Sequence, residues 1–278
     1  MSKKIPETVK AYRNEEFLES PDSRILRILS EYMEPNARFQ KYKIMDTIVF
    51  FGSARLMSKK DAAAAYTKVK SADPKSAGFA EKLRDAQRAL DMSKYYEDAV
   101  QLSKMLTKWS MELCSNEHRY IICTGGGPGI MEAANRGAKL AGGNSIGLNI
   151  SIPFEQFVNK FVTPQLRFEF HYFFMRKFWF AYLSKALIVF PGGFGTMDEL
   201  FEMLTLIQTG KIKKQMPIVV YDEKFWKAIF NFERLVETGV ISKSDMNLLQ
   251  FANTPEKAFH IITSHFDKNV LKKNQGKQ

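Results

Sequence analysis

Pro191-Gly192-Gly193-Phe194-Gly195-Thr196-Met197-Asp198-Glu199 places three glycines, a hydroxyl and two carboxylates at the junction of an apolar strand and a helix. Glycines let a backbone approach a ligand closely, and a helix start offers unpaired N–H groups and the positive end of the dipole. The junction therefore suits an anion, above all a phosphate. A nucleotide-hydrolysing P-loop would carry Gly-Lys-Ser/Thr, whereas this stretch holds two acids and no lysine. Two further strand ends are glycine turns, Gly52-Ser53 within FGSAR and Gly125-Gly126-Gly127-Pro128-Gly129 within TGGGPG. Neither rich loop has the Gly-x-Gly-x-x-Gly spacing with a downstream acid on a second strand, so a mononucleotide or sugar phosphate fits better than a dinucleotide. On its own loop Glu199 has a plain structural explanation: Thr196 and Glu199 stand in capping-box spacing, and first-turn acids complement the helix dipole.

A second segment shifts that balance. Nine of the fifteen residues from Phe168 to Tyr182 are aromatic. Read as one helix over 168–182, it is apolar almost all round and must be buried against the sheet and something more, a second subunit being the natural candidate. It also carries Arg176-Lys177, and an isolated buried charge costs several kcal/mol. Adjacent helical residues point about 100° apart, so the pair is not expected to face one spot. Either one of the two reaches solvent, or Arg176 meets an anion in the site: Glu199, a substrate phosphate, or both.

Strands and helices alternate around these turns. Thr47–Phe51, Tyr120–Cys123, Ser145–Ile152, Ala186–Phe190 and Pro217–Tyr221 read as buried strands. Ser93–His118, Ile130–Leu140 and a stretch from the PGGFGT loop to about Thr209 read as helices. The expected fold is α/β: a Rossmann-like, doubly wound, mostly parallel sheet with helices on both faces and extra helical decorations. In such sheets ligands bind at the carboxyl ends of the strands near the reversal of strand order, where the three glycine turns would converge. The economical organisation is a single nucleotide-binding domain over 1–278, with an N-terminal helical extension (1–45), a helical insertion (57–91) and a basic tail (268–278).

Composition narrows the class. An apolar share of 45% with 26% charged residues describes a globular chain, and no apolar run approaches the ~20 residues of a membrane span. The N-terminus has no apolar run behind its basic residues, so a secretory signal is not expected and a cytoplasmic protein is. Cys114 and Cys123 read as reduced core thiols rather than a disulfide or zinc pair. The net charge of +11 is spread among interspersed acids and bases, which suits a small anionic substrate better than a nucleic-acid groove.

Gly125-Gly126-Gly127-Pro128-Gly129-Ile130-Met131-Glu132-Ala133, the Arg176-Lys177 pair and Pro191-Gly192-Gly193-x-Gly195-Thr196-x-x-Glu199 together resemble the LONELY GUY family, from about Thr47 to Phe251. Its members were long labelled possible lysine decarboxylases, and characterised ones are nucleoside 5′-monophosphate phosphoribohydrolases. The resemblance implies a Rossmann-like fold, a homodimer as basic unit, and hydrolysis of the N-glycosidic bond of AMP or a cytokinin nucleotide. It implies Glu199 and Arg176 as catalytic residues. Gly52, Ser53, Gly126, Gly127, Gly129, Met131, Glu132, Lys177, Gly192, Gly193, Gly195 and Thr196 are then the substrate- and phosphate-binding set, with no metal or cofactor. Phe173-Phe174-Met175 replaces the Met-His-x that precedes the pair in shorter plant-type members. With the helical additions, this places the likeness in the longer bacterial-type branch, for which AMP or a related purine nucleotide is the expected substrate.

The residues agree with that chemistry. Cleaving a nucleotide's N-glycosidic bond passes through an oxocarbenium-like state, which a carboxylate one turn into the helix can stabilise while it orients or deprotonates water. A decarboxylase of the pyridoxal-phosphate type needs a Schiff-base lysine, typically after Ser-x-His, and none of His118, His171, His260 and His265 precedes a lysine. One other class stays open: a non-catalytic nucleotide sensor or nucleic-acid binder on the same scaffold.

Overall fold

The computed structural model describes residues 8–113, 118–152 and 157–275. Cys114, residues 1–7 of the N-terminal extension and residues 276–278 of the basic tail lie outside them. Seven strands, β1 Thr47–Phe51, β2 Ile121–Thr124, β3 Ser145–Ile150, β4 Arg167–Phe170, β5 Ser184–Val189, β6 Ile218–Tyr221 and β7 Leu249–Ala252, form one sheet in the order β4-β3-β2-β1-β5-β6-β7. Every pairing is parallel. The chain winds outward from β1 to β4, returns, and winds the other way from β5 to β7. Strand order therefore reverses between β1 and β5, and the crevice of a doubly wound sheet belongs at their carboxyl ends.

The helices are α1 Glu15–Glu19, α2 Arg24–Lys41, α3 Lys59–Lys70, α4 Phe79–Leu113, α5 Ile130–Leu140, α6 Phe173–Leu183, α7 Phe194–Gln208, α8 Glu223–Ile229, α9 Phe232–Glu237 and α10 Pro255–Gln275. β1 shows why both faces are covered: all five of its residues are buried, with Ile48 and Phe50 in one apolar cluster and Val49 and Phe51 in the other. The first face packs on α4, α5 and α10 through Leu102, Leu106, Ala133, Ala134 and Ile262; the second packs on α6 and α7 through Trp179, Phe180, Leu200 and Met203. Side chains that alternate along a strand into two cores are the sequence cause of a two-sided sheet.

The structure departs from the sequence expectations in three places. The aromatic segment 168–182 is not one helix: Arg167–Phe170 is strand β4, buried at Phe168 and Phe170 and exposed at Arg167 and Glu169, and the helix starts at Phe173. That alternation has the period of a strand. The insertion 57–91 is not separate from the helix expected at Ser93–His118, because α4 runs unbroken for 35 residues through both. The edge strand β7 adds to the expected set; four residues with one buried side chain give a weak periodic signal.

Candidate active site

A cleft of about 680 Å³ opens at the carboxyl ends of β1, β2 and β5, as the strand reversal requires. Of the expected site residues, Gly52, Ser53, Met131, Arg176, Gly193, Gly195, Thr196 and Glu199 line it. Its walls are the turn after β1, the first turn of α5, the middle of α6 and the first two turns of α7.

Helix α7 starts at Phe194 with Gly193 as its N-cap, and no side chain caps it. Thr196 is therefore the third helical residue and Glu199 the sixth, so the capping box that their spacing suggests is not formed. Glu199 instead lies in the second turn, 5% exposed. Arg176 Nη2 stands 3.7 Å from its Oε1 and Lys177 Nζ 3.5 Å from its Oε2. Adjacent helical residues thus do converge on one carboxylate, because their side chains are long enough to reach it from two directions. Neither is released to solvent: the two side chains are 15% and 16% exposed.

The two cations differ in their other contacts. Lys177 also meets Asp198 at 2.7 Å and Glu202 at 2.6 Å, so it is enclosed by three carboxylates. Burial works against its ammonium, but the hydrogen bonds to Asp198 and Glu202 and the charge of Glu199 outweigh it and hold its pKa above the usual lysine value. The Arg176 side chain makes no hydrogen bond among the described residues, and its Nε is buried without a partner. Burial lowers its pKa, opposed by Glu199 and Asp198. The Glu199 carboxylate accepts no hydrogen bond among the described residues either; burial raises its pKa above the usual carboxylate value, against the pull of Lys177 and Arg176. A buried carboxylate and guanidinium with unused hydrogen-bonding capacity are equipped for a ligand.

The remaining expected residues lie behind the cleft wall. The carbonyls of Gly126 and Gly127 accept the Asn159 amide at 2.9 and 3.0 Å, and Thr124 and Asn135 complete a buried network under that loop. Gly129, with φ of +68°, passes so close to the turn after β1 that a Cβ would lie 2.3 Å from the Ser53 carbonyl. Glu132 accepts the Tyr96 hydroxyl at 2.9 Å. Gly192 packs on Thr196, where a Cβ would come within 2.1 Å of the hydroxyl. These residues shape and hold the turns.

Arg55, Phe51, Phe180 and Phe194 line the cleft and were missed as site residues. The signal for Arg55 was present, since it ends the FGSAR turn and lacks an acidic neighbour in sequence. Phe194, 92% exposed within the glycine loop, was legible as an apolar residue that no core could use.

The family model described as possible lysine decarboxylase matches residues 131–262, which contain Arg176 and Glu199. A probable cytokinin riboside 5′-monophosphate phosphoribohydrolase of Oryza sativa subsp. japonica is 33% identical over 82 residues, which are 30% of this chain and 39% of the relative. A cytokinin riboside 5′-monophosphate phosphoribohydrolase of Arabidopsis thaliana is 32% identical over 82 residues, 30% of this chain and 38% of the relative. The chain thus spans under two thirds of the relatives it matches. Among solved structures, the molybdenum cofactor binding protein from the phototrophic bacterium Rippkaea orientalis aligns at a TM-score of 0.49 and 18% identity, over 80% of this chain and 98% of that one. A Moco carrier protein from Chlamydomonas reinhardtii aligns at 0.46 and 18%, over 80% and 99%. At that distance neither speaks to ligand or chemistry. The family-model match over residues 131–262 and the named relatives agree with the LONELY GUY resemblance that the motifs carry.

Proposed function

We propose that this protein is a nucleoside 5′-monophosphate phosphoribohydrolase, cleaving the N-glycosidic bond of AMP or a related purine or cytokinin nucleotide to free base and ribose 5-phosphate. The observation that carries the reading is Glu199: a carboxylate buried in the cleft wall between two cations, accepting no hydrogen bond among the described residues, one turn beyond a glycine loop. The α7 N-terminus, with the Thr196 hydroxyl and the open Gly193 and Gly195, suits the 5′-phosphate. A ribose behind that phosphate then faces Glu199. In the reaction water forms the new bond to C1′ while the C1′–N bond breaks; Glu199 stabilises the cationic sugar and accepts the water proton, and the departing base takes a proton from solvent. The raised pKa of Glu199 brings its basicity closer to neutral pH than that of an exposed glutamate. Arg176 holds the carboxylate and offers its unused N–H groups to the sugar or phosphate.

The same cluster argues against a Schiff-base decarboxylase. The lysine of the motif, Lys177, is enclosed by Asp198, Glu199 and Glu202 and held protonated, which disables it as a nucleophile. No pyridoxal phosphate, metal or other cofactor enters the proposed reaction, and nucleic acid is not a proposed partner. No helix among the described residues is long and apolar enough to cross a membrane, and the proposed setting is the cytoplasm. For α6, Met175, Trp179 and Phe180 face the core while Phe173, Phe174, Phe178 and Tyr182 are 36–55% exposed. That face supports a homodimer or higher homo-oligomer, and replacing Phe178 and Tyr182 by Glu should lower the sedimentation mass.

The reading is tested by incubating the protein with AMP, GMP, CMP, UMP, IMP and dAMP and scoring free base and ribose 5-phosphate by chromatography. Equal amounts of the two products from at least one purine nucleotide are expected. Binding of AMP with no base released from any of them would overturn the reading in favour of a nucleotide sensor.

A further inference from the structure

The charges around Glu199 leave the cleft short of one thing a phosphate needs. Arg176 and Lys177 face three carboxylates, Asp198, Glu199 and Glu202, so this cluster carries no spare positive charge. The glycine loop contributes backbone N–H groups but no lysine. A dianionic phosphate at the α7 N-terminus would sit next to a cluster of net negative charge. Of the residues lining the cleft, the cations are Arg176 and Arg55, and the Arg55 guanidinium has no partner among the described residues.

The backbone carrying Arg55 is fixed to both other glycine turns. Ser53 N donates to the Pro191 carbonyl at 3.0 Å, immediately before the loop that opens α7, and Ile130 N donates to the Ser53 carbonyl at 3.1 Å. Arg55 N donates to Ser53 Oγ at 3.1 Å, closing the turn. Gly129 permits this approach, since a side chain there would strike Ser53 and Ala54. Beyond the turn, Ser58 caps α3 and Lys59 N donates to Glu97 of α4 at 2.9 Å, so the helical insertion anchors the far side. The result is a hydrogen-bonded backbone that sets Arg55, with its unpartnered guanidinium, at the cleft wall.

We propose that Arg55 is the phosphate-reading cation of this site, supplying the net charge that the glycine loop and the Arg176–Lys177 pair, offset by three carboxylates, do not. The proposal rests on the cleft taking a phosphorylated ribose. Arginine suits the role because its planar fork can donate two hydrogen bonds to one phosphate. The site's preference for nucleotide over nucleoside then depends on Arg55, whereas bond cleavage depends on Glu199.

Calorimetry separates these roles. Wild type, Arg55→Ala, Arg55→Lys and the neighbouring charge control Lys60→Ala are titrated with ribose 5-phosphate, AMP, inorganic phosphate and adenosine. Arg55→Ala should weaken ribose 5-phosphate and AMP binding roughly 10- to 100-fold and inorganic phosphate in the same direction, while leaving adenosine within about twofold. Arg55→Lys should recover part of the loss, and Lys60→Ala should match wild type. With an active enzyme, Arg55→Ala should raise KM for AMP and leave kcat within a few-fold. If Arg55→Ala binds ribose 5-phosphate as tightly as wild type, or loses adenosine as much as AMP, the assignment is wrong; wild type binding no phosphorylated ligand overturns it too. If no nucleotide is hydrolysed but the binding losses appear, the phosphate assignment stands and the hydrolase reading alone fails.

Discussion

Glu199 and Asp222 follow neighbouring strands, β5 and β6, at the same edge of the sheet, yet their surroundings are opposite. Asp222 accepts the Tyr95 hydroxyl and the Phe225 backbone N–H at 3.0 Å, with Lys94 Nζ 3.8 Å away; beside it Tyr221 donates to Asp98 at 2.9 Å. Burial opposes the Asp222 charge, but the Tyr95 bond and the other donors outweigh it and leave its pKa below the usual carboxylate value. The Glu199 carboxylate has cations near it but accepts no hydrogen bond among the described residues, and burial leaves its pKa above that value. The first carboxylate is saturated by its own chain and fastens α4 to the sheet. The second keeps capacity for something the chain does not supply. Burial alone distinguishes structural from functional acids poorly; unspent hydrogen-bonding capacity beside a cleft distinguishes them well.

The contrast can be broken at either end. Short of replacing Glu199 itself, the largest effect is expected from Arg176→Ala, which leaves Glu199 without its cleft-side cation and should lower kcat/KM for AMP roughly 10²- to 10³-fold, as removal of one preorganised donor does. Steady-state kinetics on folded variant check this. Next, Gly129→Ala forces a side chain into a positive-φ position and onto Ser53, so unfolding should be easier by about 2 kcal/mol or more, read as a fall in denaturant midpoint. Asp222→Asn should cost about 1 kcal/mol and leave turnover within a few-fold of wild type. A large loss of turnover there would erase the distinction between the two acids. The smallest effect is in pH. The folded-state pKa of Asp222 is depressed, so its contribution is present above the unfolded value of about 4 and is lost as pH falls through the folded one. Acid unfolding of Asp222→Asn should lack that component.

How much of this was legible depends on how local its cause is. Buried strands such as Thr47–Phe51 announce themselves by composition, and the three turns at their ends locate the cleft without any structure. Phe168 to Tyr182 misleads because aromatic density hides a change of period: Phe168 and Phe170 alternate as a strand, whereas Met175, Trp179 and Phe180 recur as a helix. The capping-box spacing at Thr196 and Glu199 misleads for a different reason. Gly193 starts the helix three residues earlier, so the same letters fall in its interior. The convergence of Arg176 and Lys177 on one acid is set by side-chain length and by where α7 packs on α6, which spacing along one helix does not encode. The service role of Gly126, Gly127 and Glu132 is likewise tertiary, fixed by Asn159 and Tyr96 from distant parts of the chain.

The measurement closest to the central claim is release of adenine and ribose 5-phosphate from AMP by wild type and Glu199→Gln, with thermal unfolding of both. The fold disfavours the ionised form of Glu199, so the neutral isostere should unfold within a few degrees of wild type, while turnover falls about 10³-fold or more. A variant that keeps turnover and loses stability instead would show Glu199 to be a structural acid like Asp222, and the catalytic account would be wrong.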